Sequence, residues 1–268
     1  MDEKLIFDRL WKVYMVQNPD VKKVYDLFVS EGETVVNDHI AFRTFRHPAI
    51  GVDALAQFFI QIGYTFKGEY FFPEKKLFAK HYEQEDKPDA PRVFISELVT
   101  DQFSTFLQET VRRWIHAIPE CLMGSGNILF AGNASEVPAY DIYQKLRSES
   151  EYAAWLYVNG FRANHFTVSV NRLRKYDSIN KVNDLLKRNG FLLNDSGGEV
   201  QGSPEELLEQ SSIKAGMIRI NFIEGNFDIP GCYYEFAMRY PDAGGKLYSG
   251  FIARSADKIF ESTNLYQQ

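Results

Sequence analysis

Three side chains far apart in the chain carry the chemistry of a divalent-metal site: His39, His165 and Glu235. Each lies in a run of strand-forming residues, NDHIAFRTF (37–45), RANHFTVSVN (162–171) and CYYEFAMRY (232–240). Alternation along a strand puts His39, Ala41, Arg43 and Phe45 on one face and Ile40, Phe42 and Thr44 on the other. By the same rule His165, Thr167, Ser169 and Asn171 oppose Phe166, Val168 and Val170, while Tyr233, Glu235, Ala237 and Arg239 oppose Tyr234, Phe236 and Met238. A carboxylate in so aromatic a strand is a poor core residue unless a positive charge neutralises it. Two imidazoles and one carboxylate around one ion make the facial triad of non-haem Fe(II) oxygenases, with coordination positions left open. Spacing alone leaves a second reading open, in which each histidine is a structural core residue. Arg43 stands roughly 13 Å along the strand from His39, at about 3.3 Å per residue. From there it could hold the carboxylate of a small organic acid two-pronged, or pair with Glu235 or another acid.

The remaining histidines offer less. His81, in LFAKHYEQ, is a substitute ligand in principle, but its neighbours are charged and expected to be exposed. His47 precedes Pro48 in a turn, and His116 falls on a helix. No H-E-x-x-H, G-x-S-x-G or G-x-x-x-x-G-K-[ST] occurs, which removes the signatures of zincins, serine hydrolases and P-loop enzymes.

Distant ligands can meet only if the fold brings their strands together. Residues 1–30 read as N-terminal helices, with Leu5, Ile6, Leu10, Val13 and Tyr14 near a 3.6 period. After the strand at 37–45 comes a helix from about Asp53 with Gly63 as its stop, then strands in YTFKGEYFFP, KLFAKHYEQ and RVFISELV. A helical connection covers 101–160. The pattern then returns: a strand around His165, a helix ending at Gly190, and strands in FLLND, IRINFIEG and CYYEFAMRY. His39 precedes Gly63 by 24 positions and His165 precedes Gly190 by 25. The predicted fold is therefore α+β: two β-α-β-β-β modules, 33–100 and 161–254, in a single domain over 1–268. Together they would form an open barrel around a central metal cavity. The segment DSGGEVQGSPEELLEQSSIKAG interrupts the second module. Its Ser203, Pro204 and Glu206 make an S-x-x-E helix-start signature, so it is expected to form a short helix, either covering the cavity or lying on the surface.

Bulk properties limit the function classes. The chain has 268 residues, 45% hydrophobic, with 22 Phe and 15 Tyr, which suits a strand-rich fold with a sizeable core. A net charge of −6 without a basic tract argues against a nucleic-acid partner. No apolar run is long enough to span a membrane, and the N-terminus lacks a signal-peptide core. Cys121 and Cys232 make no disulfide framework, and Cys232 reads as a buried structural thiol. A soluble cytoplasmic protein is expected.

NDHIAFRTF, GFRANHFTVSVN, the insertion ending LLEQSS, and YYEFAMRY together resemble the DUF1338 family. Its characterised members are 2-oxoadipate dioxygenase/decarboxylases, also called hydroxyglutarate synthases. The resemblance runs from about residue 5 to SADKIFEST and implies a fold related to the vicinal oxygen chelate proteins. It places Fe(II) ligands on His39, His165 and Glu235, and the residue binding the substrate carboxylate on Arg43. Zn, Mn or Ni could replace iron in the isolated protein. The implied partners are a small 2-oxo acid and O2: the acid loses CO2 and is hydroxylated, so that 2-oxoadipate gives 2-hydroxyglutarate. The chain looks shorter than the characterised bacterial enzymes, so its pocket residues could differ. Two rivals remain at this level: another metal-dependent enzyme on the same scaffold (hydrolase, isomerase or lyase), and a non-catalytic module that binds a small acid.

Overall fold

The computed structural model describes residues 3–87 and 89–263; Met1 and Asp2 of the expected N-terminal helices, and the end of the chain from 264, lie outside the described residues. Two helices open the chain, α1 (Glu3–Gln17) and α2 (Pro19–Ser30), separated at Asn18 by the proline that starts α2. The first module follows as β1 (Asn37–Phe45), α3 (Val52–Ile60), β2 (Thr65–Phe72), β3 (Leu77–Glu83) and β4 (Arg92–Leu98). The connection contains α4 (Thr105–His116), α5 (Tyr140–Glu149) and α6 (Glu151–Asn159). Ser150 caps α6 by accepting from the Ala153 N–H, and Gly160 ends it at φ 62°. Gly160 lies so close to the Gly132 carbonyl that a Cβ would sit 2.0 Å from that oxygen, so both its backbone angle and its packing require glycine.

The second module is β5 (Ala163–Ser169), α7 (Ile179–Arg188), β6 (Gln201–Ser203), β7 (Leu208–Ser212) and β10 (Tyr233–Arg239). Between β7 and β10 the chain makes a separate two-stranded ribbon, β8 (Met217–Phe222) and β9 (Gly225–Pro230). Helix α8 (Ala253–Phe260) follows β10, and a 3-10 turn at Glu261–Thr263 is the last described element.

Eight strands form one sheet in the order β2-β3-β4-β1-β5-β10-β7-β6. Each module contributes four, and the two meet along the antiparallel pair β1–β5. His39 is opposite Thr167 and Ala41 is opposite His165, so the two histidines are related by a local two-fold across this seam. β1 runs parallel to β4, and β5 runs parallel to β10, as the duplication requires. Helix α8 packs on β2 at one end of the sheet and on β6 and β7 at the other, so the sheet is curled and its two ends approach each other. The outward side chains of the seam strands fill the core beneath the helices. Phe166 meets Trp11 at 4.9 Å and Tyr14 at 5.1 Å, and Phe42 meets Phe59 of α3 at 5.5 Å. Each such aromatic pair adds about 0.5–1.5 kcal/mol beyond its buried area.

Four local expectations are corrected. The S-x-x-E segment is a β-turn joining β6 to β7, not a helix start. Ser203 does accept from the Glu206 N–H, but Leu207 adopts φ 64° and turns the chain back into pairing with β6. FLLND supplies only the bridge residue Leu193, and IRINFIEG is β8 in the ribbon, outside the eight-stranded sheet. Asn171 leaves its strand for a 3-10 turn at Val170–Arg172, where its side chain exchanges two hydrogen bonds with the Arg239 backbone. His81 is buried rather than bordered by solvent; it bonds Tyr70 and Glu83.

Candidate metal centre

The inner face of the curled sheet brings the three distant candidate ligands together. One donor atom from each of His39, His165 and Glu235 lies within 4.8 Å of the others, and all three residues are buried. His39 Nε2 is 3.6 Å from one Glu235 oxygen and His165 Nε2 is 3.3 Å from the other. Register explains the meeting: β10 pairs with β5 so that Glu235 stands beside Thr167, and Thr167 stands opposite His39.

Each histidine is held from behind by the residue that precedes it. Asp38 Oδ1 lies 2.8 Å from His39 Nδ1, and Asn164 Oδ1 lies 3.0 Å from His165 Nδ1. Neighbours in a regular strand face opposite ways, yet here both members of each pair reach the same site. The cause is an irregularity in register. Asp38 is the extra residue between the paired Asn37 and His39, and Asn164 is the extra residue between Ala163 and His165. With an acceptor at each Nδ1, the proton stays there and both Nε2 atoms keep a lone pair on the Glu235 side; His39 Nε2 accepts from the Thr167 hydroxyl at 3.0 Å. Three electron-rich atoms facing one another repel unless a cation or proton lies among them, so the donor set fits a divalent metal.

Electrostatics agree with that fit. Burial pushes the Glu235 carboxyl up to about 8, against the lowering effect of the hydrogen bond from Gln210. Burial also lowers both imidazoles, His165 strongly, with the neighbouring His39 and Arg43 adding to the effect. Burial by itself would raise Asp38, but the Arg239 charge and the hydrogen bonds from His39 and Arg239 hold it well below the usual carboxylate range. Arg239 grips Asp38 two-pronged at 2.7 and 2.8 Å. Its remaining N–H groups bond the carbonyls of Tyr248 and Gly250, which seats Phe251 edge-on against His39 at 4.8 Å.

Arg43 is on the inner face as expected, buried over the rings of Tyr152 (4.8 Å) and Trp155 (5.1 Å) of α6. Its charge acts on both His165 and Tyr233, so it shares their surroundings. The acid beside it is Glu151, at 3.7 Å, and not Glu235. His81, His47 and His116 stay outside the three-residue cluster among the described residues. Sequence reasoning passed over Asp38, Asn164, Thr167 and Gln210. One signal was available: an Asx residue precedes the histidine in both copies of the repeat.

The sequence model of the 2-oxoadipate dioxygenase/decarboxylase family matches residues 6–121 and 129–248. The chain belongs to this family. A chloroplastic 2-oxoadipate dioxygenase/decarboxylase of Arabidopsis thaliana is 37% identical over 96% of this chain and 76% of its own length. The structure of hydroxyglutarate synthase from Oryza sativa, in complex with 2-oxoadipate, superposes with TM-score 0.89 at 36% identity, covering 98% of this chain and 92% of that one. A Shewanella frigidimarina protein, described only as a candidate hydrolase, superposes with TM-score 0.88 at 46% identity over 94% and 98% of the two chains. A Ralstonia eutropha protein assigned to the glyoxalase superfamily shares the fold alone, with TM-score 0.77 at 23% identity over 92% of this chain and 85% of that one. That last likeness agrees with the expected relation to the vicinal oxygen chelate fold.

In this 2-oxoadipate dioxygenase/decarboxylase family member, Asp38 has two separable duties. Asp38→Asn keeps an acceptor for His39 but removes the charge opposite Arg239. It is expected to weaken metal binding about 10-fold and to destabilise the fold by about 3 kcal/mol, because Arg239 then stays buried without its counter-charge. Metal titration and thermal melting of the variant would check the two effects separately.

Proposed function

We propose that the protein is an Fe(II)-dependent dioxygenase/decarboxylase that converts 2-oxoadipate and O2 into 2-hydroxyglutarate and CO2. The observation that carries this reading is the convergence of two imidazoles and one carboxylate on the same buried face as a guanidinium. Membership of the family and the likeness to a synthase solved with 2-oxoadipate support the choice of substrate.

His39, His165 and Glu235 would hold the iron, which when bound would chelate the keto-acid end of the substrate and activate O2. The other tasks fall to the chain's own residues. Asp38 and Asn164 keep the Nδ1 protons in place and leave both Nε2 atoms unprotonated, so that a metal would take the His39 lone pair that now accepts from Thr167. Gln210 donates to Glu235 and fixes the carboxylate plane. Arg43 binds the distal carboxylate two-pronged and sets the distance from that end to the reacting carbon. Glu151 lies beside Arg43; it is partly exposed and lines a small cleft with Trp155, Tyr143 and Thr263. A dicarboxylate would take over its place, and Glu151 would turn toward solvent. Phe251 screens His39 from water.

The atoms balance. One O2 enters: one of its oxygens joins the former keto carbon to make the new carboxylate, the other becomes the new hydroxyl on the adjacent carbon, and the CO2 carries away the substrate's own carboxylate oxygens. A cytoplasmic setting belongs to the same proposal and is supported by the two free thiols, Cys121 and Cys232.

Iron-loaded protein prepared without oxygen, then assayed for O2 uptake across a panel of 2-oxo acids, tests the reading. One CO2 and one 2-hydroxyglutarate per O2 are expected from 2-oxoadipate. Turnover of any substrate in the absence of O2, supported equally by zinc, would instead favour a hydrolase or isomerase.

A further inference from the structure

One inner-face tyrosine has no structural employment for its hydroxyl. Tyr233 lies two residues before Glu235 on β10, so both side chains point inward. Its ring is fully buried and stacks on the His165 imidazole, with centroids 4.7 Å apart and planes at 29°. Ala215 and Ile259 of α8 cluster with it. The phenol oxygen has no hydrogen-bond partner among the described residues. The charged groups that act on it are Glu235, Arg43 and Glu151, which belong to both ends of the proposed site. Phenylalanine would fill the same space without leaving a polar atom unmatched, so packing does not account for the hydroxyl.

Two neighbours sharpen the contrast. Tyr152, also buried, has its hydroxyl satisfied by Ser96 and Thr44. Tyr234 also lacks a hydroxyl partner, but it points to the outer face among Trp11 and Phe236 and away from the charged groups of the site. Tyr233 alone of the three combines an unmatched hydroxyl with a ring stacked on an imidazole of the cluster and with Glu235 and Arg43 among the charges acting on it.

We propose that Tyr233 is a substrate-binding residue whose hydroxyl donates a hydrogen bond to an oxygen of the 2-oxo acid held between the His39–His165–Glu235 cluster and Arg43. This rests on the function proposed above. The phenol would supply a neutral, directional contact between two charged anchors, and the hydrogen bond left unmade in the free protein would be made on binding.

The test compares the unsubstituted protein, Tyr233→Phe and Tyr234→Phe, each iron-loaded without oxygen. Affinity for 2-oxoadipate is measured by calorimetry, together with iron content and thermal melting with and without the acid. Tyr233→Phe is expected to bind 2-oxoadipate about 10-fold more weakly and to show a smaller ligand-induced rise in Tm. Its iron content should be unchanged, and its substrate-free Tm equal or higher. Tyr234→Phe should bind normally. Equal affinity of the unsubstituted protein and Tyr233→Phe overturns the inference alone. Loss of iron or a lower substrate-free Tm in Tyr233→Phe also overturns it, by showing that the hydroxyl serves the fold. Failure of the unsubstituted protein to bind any 2-oxo acid overturns the proposed function, and this inference with it.

Discussion

Replacing Glu235 by glutamine is expected to cut O2-dependent turnover more than about 100-fold and to leave the protein with little bound metal. Glutamine preserves volume and can still accept from Gln210, so the loss would come from the missing charge. Glu235 is the one anionic donor among the three, and without it two neutral imidazoles must hold a dication in a buried site. The fold itself should not suffer. In the metal-free protein burial lifts this carboxyl to about 8, above its ordinary value near 4.5. The folded state therefore binds the proton more tightly than the unfolded state does. The sign follows: the associated stability is complete below about pH 4.5 and is lost as the pH climbs through about 8. Relative to Glu235→Gln, metal-free protein should accordingly be less stable at pH 8 than at pH 5 by an amount on the order of a few kcal/mol, seen as a lower melting temperature. Saturating metal should remove the difference. Melting curves of both proteins across that range, with and without metal, and metal content after dialysis would check each part. A Glu235→Gln protein that keeps its metal and its turnover would show that the carboxylate is not a ligand.

Arg43→Met should separate substrate recognition from metal binding. Methionine matches the arginine stem out to Nε and stays apolar beside Tyr152 and Trp155, and Arg43 is not one of the three metal-site residues, so the site should load metal normally. What disappears is the cationic partner for the far end of the substrate. A two-pronged, charge-assisted contact in a buried site is expected to lower kcat/KM for 2-oxoadipate by about 100- to 1,000-fold when it is removed. The corresponding acid without the distal carboxylate, 2-oxohexanoate, should be affected little, so the preference between the two should collapse. Lysine at the same position should recover part of the loss, since it restores charge but not the fork. Steady-state kinetics on both acids, with iron content measured in parallel, gives the answer. An unchanged preference would assign Arg43 to its ion pair with Glu151 and to nothing more.

The convergence of His39, His165 and Glu235 was legible in the sequence because strand alternation is a strict rule, and because the repeat placed a histidine at equivalent positions in two strands. Glu235 stood out as a charge that an aromatic strand would not otherwise carry. The supporting residues were hidden by the same rule. Asp38 and Asn164 look as if they face away from their histidines, and only the extra residue in each register turns them inward. That irregularity depends on pairing between strands more than a hundred residues apart, which local patterns do not encode. The Ser203–Glu206 segment misled for a related reason. A capping signature and a tight turn begin with the same Ser-to-N–H bond, and pairing with β7 decided which one formed. Gln210 was thereby carried into the sheet beside Glu235, although the segment had read as a cover or a surface excursion.

The seam between β1 and β5 has a further consequence. His39 comes from the first half of the chain, while His165 and Glu235 come from the second, so neither half owns a complete coordination set. A bound ion would act as a rivet through the joint of the duplication. Separated halves would then be poor chelators, and recovery of tight metal binding on mixing them would report that the joint had re-formed. In such a split protein, tight metal binding would require that the barrel be assembled.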